Sequence, residues 1–224
     1  MKMYHLLKPP SSAASPIMKP YPQICFLLLV ALLASSCLPM ATPTPAATAP
    51  EPQPTSAEKY HPLFTPTRIE EIDIILDAVE SGDPQELRNL FSYTTIACKT
   101  IVNALGGPPP CRDGEAEGTL VEVLPGLSSE GYYLYKDEIS NWPGLDVAGL
   151  YAVYQVSESA YSDENFPKGD YAMILVGKEN QPGIVLHITD AGIVRIDDIL
   201  DDAPDALQAV LERDAERVIL APKE

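Results

Sequence analysis

Between residues 119 and 196 apolar positions recur with a period of two in short segments, and this restricts the fold more than any other feature. The segments are 119–124, 131–135, 149–156, 171–177, 183–189 and 192–196. Strands this short bury an apolar face only by pairing with one another. Gln181-Pro182-Gly183 and Asp190-Ala191-Gly192 are turn clusters that join consecutive segments as hairpins. An antiparallel meander of about five or six strands is therefore expected.

Helical spacing frames these strands. Thr67-Arg68-Ile69-Glu70 has the form of a capping box. Ile69, Ile72, Leu76 and Val79 follow at helical intervals, and Gly82 stops the run. Asp83-Pro84-Gln85-Glu86 opens a second helix with a cap and an early proline, and Leu87, Leu90 and Phe91 form its apolar face. A short C-terminal helix is expected from about residue 204 to 216, carrying Leu207, Val210 and Leu211. The sum is an α+β domain over 67–224, about 160 residues and enough for one core. Helices on a curved sheet in this order resemble the cone-shaped nuclear-transport-factor-2-like and cystatin-like folds. That resemblance implies a fold alone, since such folds carry enzymes and binders alike.

Charge is distributed unevenly. The chain holds 15 Lys+Arg against 32 Asp+Glu, a net charge of −17, yet residues 1–37 contain Lys2, Lys8 and Lys19 and no acid. So acidic a remainder lacks the clustered cations that phosphate neutralisation needs, which excludes a nucleic-acid binder. A basic, acid-free start is the first part of an export signal. Ile24 to Ala34 supply eleven residues without charge or strong polarity. A bilayer-spanning helix needs about twenty, whereas the apolar part of a signal needs roughly 7–15. Met18-Lys19 already begins a complete signal over 18–36, so residues 1–17 read as a gene-model extension.

The apolar run ends Leu33-Ala34-Ser35-Ser36-Cys37. Small residues before a cysteine resemble a bacterial lipobox, which implies a diacylglyceryl group on Cys37 and a mature N-terminus there. Ala34 departs from the pattern, which prefers Leu at that place. Several acyl chains hold a protein stably on a membrane where one does not. The expected location is thus the extracytoplasmic face of a cell membrane, through a lipid anchor. Leu38, rather than an Asp, points away from inner-membrane retention where two membranes exist. From 37 to 66 the chain is rich in proline, including Thr42-Pro43-Thr44-Pro45 and Gln53-Pro54. Such chain stays extended at about 3.1 Å per residue and acts as a tether.

Of four cysteines, Cys25 lies in the signal and Cys37 takes the lipid. Cys98 and Cys111 remain, and in an exported domain they read as one disulfide. Their twelve intervening residues exceed a redox spacing, and too few further ligands stand nearby for a metal. Thr94-Thr95-Ile96-Ala97-Cys98, Ala104 to Cys111 with its Gly-Gly-Pro-Pro-Pro turn, and Gly114 to Thr119 together resemble a recurrent block of uncharacterised exported bacterial proteins. That likeness implies the same disulfide and no activity.

Candidate chemistry is sparse. His187 lies opposite Ile184, Leu186 and Ile188 on its strand, and could act as a general acid or base with Asp190 or Asp197. Neither a nucleophile elbow nor a histidine metal motif accompanies it. Asp197, Asp198, Asp201, Asp202 and Asp205 fall within nine residues. Ca²⁺ takes roughly six to eight oxygens, but the spacing is not that of an EF-hand, and helix capping accounts for the acids equally well. No other cofactor is implied. Aromatic residues cluster between 132 and 171, and Trp142, Tyr133 and Tyr154 are candidate binding residues. The reading is a tethered lipoprotein whose domain binds a small ligand or a protein partner. The alternatives are a small cone-fold enzyme using His187 with a carboxylate, and a Ca²⁺-supported adhesion module.

Overall fold

The structure, a computed structural model, describes residues 59–101, 107–179, 181–200 and 204–223. The expected extension, signal, Cys37 and most of the tether lie outside these residues, as do Asp201 and Asp202.

Eight strands and three helices make the α+β fold. In chain order they are α1 (Glu70–Ser81), α2 (Pro84–Arg88), β1 (Thr94–Ala97), β2 (Leu120–Leu127), β3 (Gly131–Tyr135), β4 (Val147–Val156), β5 (Tyr171–Gly177), β6 (Gly183–Thr189), β7 (Gly192–Ile199), α3 (Pro204–Asp214) and β8 (Ala215–Leu220). The strands form one sheet in the order β1-β2-β7-β6-β5-β4-β8, with β3 also paired to β2. From β4 to β7 it is the expected antiparallel meander. The departure is at β2, which meets β7 in parallel through two residue pairs, Gly126↔Ile196 and Leu127↔Asp197.

Both faces of the central strands are covered, which explains why β5 and β6 read as nearly continuous apolar runs. One face carries Leu150, Val153, Met173, Leu175, Leu186, Ile188 and Ile193 against Ile72, Ile75, Leu76 and Val79 of α1, with Leu87 and Phe91 beside them. The other face carries Ala152, Tyr154, Ala172, Ile174 and Val185 beneath Leu207 and Leu211 of α3. Each such aliphatic side chain contributes about 1.5–3 kcal/mol on burial. A smaller cluster of Cys98, Val121 and Val123 lies around the disulfide.

α1 ends as expected on Gly82, whose left-handed φ of 67° lets its N–H reach the Val79 carbonyl. Its start differs. No capping box forms, because the Thr67 hydroxyl and N–H both donate to Asp73 Oδ1 at 2.7 Å. Asp83 caps α2 by accepting from the Gln85 N–H, but that helix closes at Arg88, so Leu90 and Phe91 lie beyond it. Residues 59–66, expected at the end of the tether, touch the fold. His61 exchanges two backbone hydrogen bonds with Leu150, and Leu63 packs on the core. Among the described residues no helix is long and apolar enough to cross a membrane.

Cys98 and Cys111 form the expected disulfide. The Tyr133 hydroxyl donates to the Gly107 carbonyl and the Tyr135 hydroxyl to that of Pro110, both at 2.5 Å. Arg112 joins Glu115, Asp137 and Glu138 and lies over the Tyr135 ring.

Candidate functional site

An open groove of about 840 Å³ lies where the β2–β3 hairpin meets the ends of β6 and β7. Its wall on one side is the 142–146 loop, entered by a single 3-10 turn, Ile139–Asn141. Arg88 fixes that loop from below, its Nη1 donating to the carbonyls of Ser140 (2.9 Å), Ile139 and Trp142 (both 3.3 Å). The Trp142 ring packs edge-on against Phe91 with centroids 5.2 Å apart. Trp142 is therefore a held aromatic wall rather than a free loop side chain.

The opposite wall is β3. Tyr132 lies over Gly126, and its hydroxyl donates to the Ile196 carbonyl at 3.1 Å, bridging β3 to β7. Leu134, Ile184 and Ile196 supply apolar lining, and Ser128, Ser129 and Gln181 supply polar lining. Burial first, then the charges of Asp198 and Asp197, hold the Tyr132 phenol well above its ordinary range. At the rim Lys178 Nζ is 2.8 Å from Asp146 Oδ1.

Asp198 enters this groove from β7. It is half-buried, and no hydrogen bond or ion pair reaches its carboxylate among the described residues. Burial, then the negative charge of Asp197, raises its pKa. Asp197, its neighbour along the strand, belongs to the other face. Successive strand residues project oppositely, so the two carboxylates do not converge on one ion. Among the described residues no group of three or more His, Cys, Asp or Glu is placed to hold a metal.

His187 joins Asp197 beneath that other face. The imidazole is 2% exposed, with Nε2 3.0 Å from Asp197 Oδ2. Asp190, the other expected carboxylate, is not its partner. Sequence reasoning missed Arg195, which dominates the cluster. Its Nε and Nη2 donate to Asp197 at 2.7–3.0 Å, and its Nη1 donates to the carbonyls of Tyr161, Phe166 and Pro167 at 3.1–3.3 Å. An arginine inside Ile193-Val194-Arg195-Ile196 was the available signal, because a buried guanidinium requires partners. Burial pulls the Asp197 pKa up, but the His187 hydrogen bond and Arg195 outweigh it, and the carboxyl sits below its ordinary range. The cluster fastens loop 157–168 to the sheet. Among the described residues His187 Nδ1, like the Tyr154 hydroxyl, is buried without a hydrogen-bond partner.

The three expected binding aromatics separate. Trp142 lines the groove; Tyr133 packs on Phe166, with centroids 5.4 Å apart; Tyr154 is fully buried on the face covered by α3. Sequence reasoning missed Tyr132, Ile196 and Lys178 as groove residues, since β2–β7 pairing brings together positions 70 residues apart in sequence. No family model, curated protein or solved structure matches the chain.

Proposed function

We propose that this protein is exported, held on the extracytoplasmic face of a membrane by lipid on Cys37, and that its domain binds a small ligand or partner in the Trp142 groove. The groove carries the binding part of this reading. Its volume falls within the few hundred to about 1,000 Å³ usual for ligand sites. Its lining mixes apolar and polar side chains, its aromatic side is braced by Arg88 and Phe91, and a single half-buried carboxylate enters it. The export part rests on the basic acid-free start, the short apolar run, Ser35-Ser36-Cys37 and the proline-rich tether. The disulfide suits an oxidising compartment. The resemblance to cone folds belongs to the same reading, with α1 and α2 set against one face of a meander.

Catalysis by His187 with Asp197 has their 3.0 Å contact in its favour. Against it, the imidazole does not line the groove, and its Nε2 is already engaged by Arg195 and Asp197. Binding is the better-supported function.

Two measurements test the proposal. The intact mass of protein extracted from its own membrane is expected to fit a diacyl or triacyl chain starting at Cys37, and an unlipidated mass refutes the anchor. Trp142 is the chain's only tryptophan, so its fluorescence reports on the groove. A ligand is expected to shift that emission, and Trp142→Ala to weaken its binding. A ligand that binds the folded protein and leaves the emission unmoved refutes the groove as its site.

A further inference from the structure

We propose that the groove selects a small organic cation, an amine or quaternary ammonium carried on an apolar body, with Asp198 as its charge partner. This rests on the groove being the binding site and names the class of ligand.

Charge pairing gives the first argument. Glu130, Asp146 and Asp198 are the acids that line the groove, and Lys178 is its cation. Lys178 is committed to Asp146 at the rim, both by the 2.8 Å ion pair and by its own N–H, which donates to the Asp146 carbonyl at 3.0 Å. Among the described residues Asp198 is left with no counter-charge, half-buried beside Ile184 and Ile196. A desolvated carboxylate without a partner is unfavourable, and a bound cation offsets that cost.

The walls give the second. A cation on an apolar body finds two aromatic rings here, Trp142 and Tyr132, and aromatic faces attract cations. Both rings are held in place, Trp142 by Phe91 and Tyr132 by its bond to the Ile196 carbonyl, so little side-chain freedom is lost on binding. The same groove disfavours anions, because its acids outnumber its lysine and the whole chain is at −17.

The test uses three probes with one ring and different charge: benzylammonium, benzyl alcohol and benzoate. Each is titrated into the folded full-length protein while the indole N–H signal of Trp142 is followed by NMR. The expected order is benzylammonium first, benzyl alcohol second and benzoate last. Asp198→Asn is expected to weaken benzylammonium roughly tenfold, the scale of a lost charged hydrogen bond, and to leave benzyl alcohol unchanged. Asp198→Ser is the second variant should the amide disturb folding. Equal binding of all three probes, unaffected by either variant, overturns the cation inference and leaves the groove standing. No movement of the Trp142 signal with any probe overturns the groove reading and this inference together.

Discussion

Arg195 and His187 oppose each other directly across β7 and β6, with guanidinium Nη2 3.0 Å from imidazole Nε2. A guanidinium only donates, so Nε2 either accepts from Arg195 or, when it carries the proton, donates to Asp197, and the hydrogen bond that holds the Asp197 pKa down is the second. Arg195 thus meets both His187 and Asp197 as well as holding three loop carbonyls. Arg195→Met is expected to lower stability by about 3–5 kcal/mol, as for one partner lost from a buried ion pair. Urea denaturation measures it, and a loss below 1 kcal/mol would show that the cluster is not what secures loop 157–168.

Asp197 makes the fold sensitive to acid. Its pKa is depressed on folding, because His187 and Arg195 outweigh the opposing effect of burial. The resulting stability is fully present above the unfolded value, about 3.9, and is lost as pH falls through the lower folded value. The stability difference between the parent and Asp197→Asn should therefore be constant near neutrality and shrink below about pH 4. A difference that grows with acid contradicts the assignment.

Tyr154 offers a sharper test of packing. Its hydroxyl is buried with no partner among the described residues, and burial, then the negative charges of Asp214 and Asp197, drives its pKa up. Removing an unsatisfied buried hydroxyl relieves a desolvation cost of about 1–3 kcal/mol. Tyr154→Phe is expected to leave the melting temperature unchanged or raise it, and a clear fall would mean that the hydroxyl is bonded.

Much of this architecture was legible because it is local. Gly82 and Asp83-Pro84 marked helix ends, period two marked six strands, and Cys98 with Cys111 marked the staple. β1 was missed because it is four residues long and only alternately half-buried. β8 was missed because it follows α3 at Asp214–Ala215 with no turn residue between them. Residues 197–199 were read as leaving the strand because two acids are adjacent. They continue it instead, with Asp197 facing Arg195 and Asp198 facing the groove. Trp142 was legible as one of the aromatic residues clustered between 132 and 171. The opposite wall was not, because only long-range pairing creates it.

Gly126 is the backbone position on which the groove most depends. A Cβ there would overlap the Tyr132 ring and the Ile196 carbonyl oxygen. Gly126→Ala should cost about 1–3 kcal/mol, the usual range for overpacking, and should displace Tyr132. Thermal melts and the Tyr132 ring signals report the two effects, and a silent substitution would show that the ring does not lie where described.

The staple should matter on a similar scale. Replacing Cys98 and Cys111 with serine is expected to cost about 3 kcal/mol in the chain-entropy model. The phenols of Tyr133 and Tyr135 still hold the loop in that variant, so a native-like sheet spectrum should survive. Denaturant titration and circular dichroism separate stability from structure, and loss of the sheet spectrum would make the disulfide a condition of folding.

The two residue pairs between β2 and β7 make a narrow border within the sheet. Tyr132 and Leu134 stand on one bank of the groove, and Ile184, Ile196 and Asp198 on the other. An occupant touching both banks would act as a rivet across that border, slowing the local separation of β2 from β7. Occupancy would then register as added kinetic persistence, read most directly in the exchange rate of the Leu127 amide, which donates to Asp197 at the border itself.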